Sequence, residues 1–148
     1  MVRMRLVVLV VLVALVGCKA HTPPDSAVAS RLRPVVEATC VAMALPAAQR
    51  PTGRALDDQI GLLAMRLSDE RVRQIDAGTL DRVAIIDGYR AALARRAERH
   101  SRAEPPRLLA FLVEQPQWSV DQALLAAALL AQYEHEAKLA PPPPGLAQ

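Results

Sequence analysis

Residues 123–131 read Ala-Leu-Leu-Ala-Ala-Ala-Leu-Leu-Ala, an apolar run of nine with no polar break. A helix that is apolar on every side cannot face water, so it must be buried all round. A membrane span needs roughly 20 such residues, and this run is too short for one. It is therefore the core helix of a packed body, and the rest of the chain must supply the elements that cover it. Ser119-Val120-Asp121-Gln122 stands just before it. This is a capping-box pattern, in which the Ser119 hydroxyl accepts from the Gln122 amide while the Gln122 side chain reaches back to Ser119. Trp118 precedes the cap and is placed to pack on Ala123. The helix is expected to reach about Leu139, with Glu134 and Lys138 as an i,i+4 pair at its solvated end. Pro141 to Pro144 and Gly145 then stop it.

The covering elements are also helical. Val28, Leu32, Val35, Val36, Cys40 and Met43 recur at three- and four-residue spacing, which predicts a helix over residues 27–44. Pro34 either kinks this helix or marks its true first turn, and Pro46 is expected to end it. Thr52 is the expected N-cap of a second helix with the stripe Leu56, Ile60, Leu63 and Leu67, broadened by Leu62 and Met65. Ser68-Asp69-Glu70 opens a short helix over 69–77, with acids where the helix dipole favours them and Gly78 as its stop. Thr79 is expected to cap the longest segment, residues 80–103, with Val83, Ile86, Tyr89, Leu93 and Ala97 as its apolar face. Gly88 inside it costs up to about 1 kcal/mol relative to Ala. Pro105-Pro106 opens a further short helix, apolar on most sides through Leu108, Leu109, Phe111, Leu112 and Val113, which Pro116 ends. No sustained period-two run is found, and aromatics are confined to Tyr89, Phe111, Trp118 and Tyr133. The expected fold is all-α, a small bundle or irregular array of four to six helices with an aliphatic core, following an N-terminal signal helix.

The start of the chain is of another kind. Arg3 and Arg5 form a cationic head, residues 6–16 are an apolar run of Leu, Val and one Ala, and Gly17 is a small residue at its end. That order is the pattern of a secretory signal peptide. Leu15-Val16-Gly17-Cys18 resembles the lipobox of bacterial lipoproteins. The resemblance implies cleavage between Gly17 and Cys18, a diacylglyceryl group on the Cys18 sulfur, and membrane attachment through that lipid. One acyl chain anchors marginally, whereas two or more hold stably at about 0.8 kcal/mol per buried CH₂. Lys19, where an Asp would favour retention in the inner membrane, implies the periplasmic face of the outer membrane. The expected organisation is a signal peptide (1–17), a lipidated cysteine and flexible tether (18–26), a helical domain (27–140) and a Pro-rich tail (141–148).

Little in the body points to chemistry. The chain carries 18 Lys and Arg against 15 Asp and Glu, and removing Arg3 and Arg5 with the leader brings it close to neutral. A nucleic-acid partner calls for a concentrated basic footprint and is not expected. With Cys18 carrying lipid, Cys40 is the single remaining thiol. It lies on an apolar stripe, so burial as a small hydrophobe is expected in preference to pairing between chains. His21, His100 and His135 lack metal-ligand spacing, so neither a metal nor another cofactor is expected. No serine stands in a Gly-x-Ser-x-Gly turn, and the Asp57-Asp58 pair is explained by the start of a helix. One feature invites a functional reading. Arg95, Arg99 and Arg102 share a helical face, with Arg96 beside it and Arg107 past the prolines, and such a stripe suits headgroup phosphates, cell-wall carboxylates or an acidic partner. The bland alternative is a solvated face partly paired by Glu98 and Glu104. The expectation is a non-catalytic binding or assembly accessory of the cell envelope with an envelope protein as partner. Helical pilotins, lipoproteins that escort secretin subunits, are similar in size and architecture, though no shared motif links them to this chain. The alternatives are an envelope enzyme whose site is formed only in space, or an anionic lipid or cell-wall binding module using the arginines.

Overall fold

A computed structural model describes residues 26–99 and 106–139 of the chain. Within them lie six α-helices and no strand: α1 Ala27–Ala42, α2 Gly53–Arg66, α3 Asp69–Asp76, α4 Arg82–Arg99, α5 Arg107–Glu114 and α6 Val120–Leu139. A short 3₁₀ turn, Ala47–Gln49, lies between α1 and α2. The expected all-α class and helix number both hold. None of the described helices is long and apolar enough to cross a membrane.

α6 is the post on which the others lean. It packs against α4, α2, α1, α5 and α3, and α1 and α2 also pack on each other. The reason is the apolar run: every residue from Leu124 to Leu130 is buried, with Leu124, Leu125, Ala126 and Ala128 at 0 % exposure. The capping box forms as expected. The Gln122 amide donates to Ser119 Oγ at 3.2 Å and the Ser119 amide to Gln122 Oε1 at 2.9 Å. The surrounding helices present Leu32, Val36 and Cys40 (α1), Leu56, Ile60 and Leu63 (α2), Ile75 (α3), and Leu109 and Leu112 (α5) to this post. Polar contacts also cross between the helices. Arg31 makes a two-pronged bond to Asp76 (2.8 and 3.2 Å) and lies 3.5 Å from Asp121, clasping α1, α3 and α6. Arg33 pairs with Asp57, joining α1 to α2.

Several local expectations are corrected. α1 starts at Ala27, where Ser26 Oγ accepts from the Ala29 amide, so Pro34 lies inside the helix and does not begin it. α1 stops at Ala42, before Pro46, because Ala44 turns left-handed at φ 53° and its amide and that of Leu45 fold back onto Val41 and Cys40. Thr52 occupies the cap position of α2 without a side-chain cap bond. Thr79 does not cap α4. Its amide and hydroxyl both donate to Gln74 O and so close α3, while Asp81 Oδ1 accepts from the Val83 amide at the start of α4. Met65 is exposed instead of broadening the α2 stripe. The Glu134–Lys138 pair is not among the ion pairs of the described residues.

The face of α4 differs in part: Tyr89 and Leu93 turn to the core as expected, Val83 does not. Ile85, Tyr89 and Ala92 are buried, while Val83 is 63 % exposed. The explanation is close approach: a Cβ placed on Gly88 would lie 3.0 Å from Leu130 Cδ2 of α6. The side of α4 that carries Gly88 and Ala92 approaches the post nearest and brings Ile85 and Tyr89 in with it. Ala97, the last residue of the expected face, has a side chain outside the described set.

Candidate functional site

The face of α1 turned away from the post is the least charged exposed helix surface of the body. It shows Pro34, Ala38, Val41 (59 % exposed) and Ala42, with Glu37 as the charged residue among them. A cleft flanks this ridge on each side. One, of about 300 Å³, lies between α1 and the start of α2. Val36, Cys40 and Leu56 line its apolar part, and Arg33, Glu37 and Arg50 its polar part. Arg33 is held by Asp57, and Arg50 donates from Nε to Leu45 O at 2.8 Å. The other, an open groove of about 500 Å³, runs between α1 and the α5–α6 corner. Pro34, Val35, Ala38 and Ala42 face Phe111 and Gln115 across it. The groove is kept open by the corner itself. Trp118 donates from its indole nitrogen to Leu112 O at 2.7 Å, and the capping box starts α6 directly after it.

The corner depends on a residue that sequence reasoning passed over. Arg82, the first residue of α4, donates to the carbonyls of Pro116 (2.8 Å) and Gln115 and lies with its guanidinium 4.9 Å from the centre of the Trp118 ring. It thus satisfies carbonyls of the turn that follows α5 and adds a cation–π contact. The one hint in the sequence was an arginine at a helix start, where the dipole disfavours it and a specific partner is needed.

Cys40 is buried at 3 % exposure, as expected for a small hydrophobe. Burial pushes its thiol pKa up; nearby Arg50 works against this and Glu37 with it. A raised pKa removes thiolate at neutral pH and makes the group a poor nucleophile.

Of the arginines of the stripe, the side chains of Arg95, Arg96 and Arg107 lie in the described part. Arg95 is exposed. Arg96 turns inward, its guanidinium 5.0 Å from the centre of the Tyr133 ring. Arg107 donates to Gln49 Oε1 at 3.3 Å. The Arg99 side chain and all of Arg102 lie outside the described residues, as do Gly17 and Cys18. Among the described residues no group of three or more His, Cys, Asp or Glu is placed to hold a metal. His135 is half-buried, and His21 and His100 are outside the described set.

Beneath Arg96, Tyr133 meets Tyr89 edge to face with ring centres 6.5 Å apart. The Tyr133 hydroxyl is buried with no hydrogen-bond partner. Burial, and secondarily the neighbouring Tyr133, push the Tyr89 pKa up. No known protein family, no curated protein and no solved structure matches this chain.

Proposed function

We propose that this protein is a lipid-anchored accessory of a bacterial envelope that works by binding, not catalysis. Cys18 carries the lipid, the segment after it is the tether, and the helical body stands at the periplasmic face of the outer membrane. The observation that supports a binding role is the ridge of α1 between its two clefts, where Pro34, Ala38, Val41 and Ala42 are exposed and Glu37 is the one charged residue. Depletion of charge at the centre of a patch is what distinguishes interface cores from ordinary surface. The ridge from Pro34 to Ala42 spans about 12 Å at 1.5 Å per residue, the length of two turns of a partner helix laid along it. The occupant that suits it is an amphipathic helix of an envelope protein, seated in the groove beside Phe111.

Two measurements test the two halves of this reading separately. A clickable palmitate analogue should label the wild-type chain and not Cys18→Ser; label persisting in Cys18→Ser rejects the anchor. A photo-crosslinking amino acid at Ala38 or Ala42 should trap one discrete envelope protein in intact cells, while the same group at Glu70 on α3 should not. The same adduct from all three positions, or none from the α1 positions, rejects docking on α1.

A further inference from the structure

We infer that a small cleft at the α2–α3 junction, on a different side of α6 from the α1–α5 groove, is a binding site for a zwitterion of amino-acid size. The chain leaves the helical path at Leu67, and Ser68 restarts it by accepting from the Arg71 amide at 3.2 Å. This puts Arg66, the last residue of α2, and Arg71, in the first turn of α3, on one wall of a cleft of about 150 Å³. α6 supplies Glu134 to the same cleft, over an apolar floor of Ile85, Ala127 and Leu130. The Glu134 carboxylate lies beside α4, where a Cβ on Gly88 would stand at an ordinary contact distance of 3.9 Å from Oε1.

The charges of this cleft are opposite and do not meet. Among the described residues, the Glu134 carboxylate and the Arg71 guanidinium have no ion pair or side-chain hydrogen bond, and Arg66 uses only Nε, to Gln132 Oε1 at 2.9 Å. Two arginines of α1 show the alternative, closing directly on carboxylates of other helices, Arg31 on Asp76 and Arg33 on Asp57. A molecule with an anionic group at one end and an ammonium at the other completes both walls at once. Guanidinium groups take the carboxylate or phosphate through charge-assisted hydrogen bonds, and Glu134 takes the ammonium. An ion of a single sign leaves one wall uncompensated. The volume admits a free amino acid or the phosphoethanolamine of a lipid headgroup, which share this chemistry.

Titration calorimetry on the full chain with L-leucine, N-acetyl-L-leucine, L-leucinamide and O-phosphoethanolamine tests the assignment. At least one of the two zwitterions should bind saturably. Blocking either charge of leucine should weaken binding by about tenfold or more, as expected for losing a charged hydrogen bond. Glu134→Gln and Arg71→Gln should each weaken it similarly, with circular dichroism unchanged at these solvent-facing positions. Binding of leucine alone identifies an amino-acid ligand, and binding of phosphoethanolamine alone a headgroup. Absence of saturable binding by both zwitterions, blocked leucines that bind as well as leucine, or an unchanged Glu134→Gln variant would each overturn the proposal. None of these outcomes depends on the α1 ridge.

Discussion

Two helices of this protein end in the same hydrogen-bonded turn with different residues at its left-handed position. α3 ends through Gly78 at φ 69°, and α1 through Ala44 at φ 53°. In both, the amide of the left-handed residue and the amide after it fold back onto carbonyls of the last turn. Glycine adopts this conformation freely, whereas a Cβ costs roughly 1–2 kcal/mol there. Ala44→Gly is therefore expected to stabilise the protein by about 1 kcal/mol, read as a higher urea midpoint with an unchanged slope. The buried, unpartnered hydroxyl of Tyr133 gives a second expectation. An unsatisfied buried polar atom costs about 1–3 kcal/mol, so Tyr133→Phe should leave stability unchanged or raise it by up to about 1 kcal/mol. A fall in the midpoint would show that the hydroxyl has a partner in solution. Gly78 was readable as a stop because glycine adopts the left-handed turn without strain. Ala44 carried no such mark, so Pro46 attracted the boundary instead.

At the scale of the element, the capping box of α6 was legible to the atom because it is a local pattern closed within four residues. The face of α4 was not. Its sequence is apolar on two sides, through Val83 and Ile86 and through Ile85, Tyr89 and Ala92, and periodicity alone does not choose between them. The choice falls to Gly88, whose missing side chain admits Leu130 of α6. Ile85→Ala should accordingly cost about 2–5 kcal/mol as a buried truncation. Val83→Ala, on the exposed side, should stay within about 0.5 kcal/mol. Equal costs measured by urea denaturation would return α4 to the other face. The candidate site followed the same division. Burial of Cys40 was legible from its stripe. The clefts beside α1 and the Arg66–Glu134 cleft were not, since each is formed only where separate elements pack together.

For the molecule as a whole, two groups tie stability to alkaline pH. Cys40 and Tyr89 both have pKa values raised, chiefly by burial, above ordinary values of 9.0 and 10.0. The folded state thus holds their protons more tightly than the unfolded chain. Their contribution is fully present below pH 9.0 and is lost as pH rises through the raised values. Unfolding free energy should be flat from neutral pH to that point and fall beyond it. In Cys40→Ala the onset of the fall should move up toward the tyrosine range, and an unmoved onset would remove the thiol from the explanation. The position of the central post in the chain has a different consequence. α6 is the last described helix, and the packing of α3, α4 and α5 runs chiefly through it. Until it leaves the ribosome, the preceding polypeptide can consolidate little beyond the α1–α2 hairpin, and premature collapse is avoided. Synthesis of this polypeptide thus ends its helical part with the element that the earlier ones need, and consolidation of the fold is deferred to that moment.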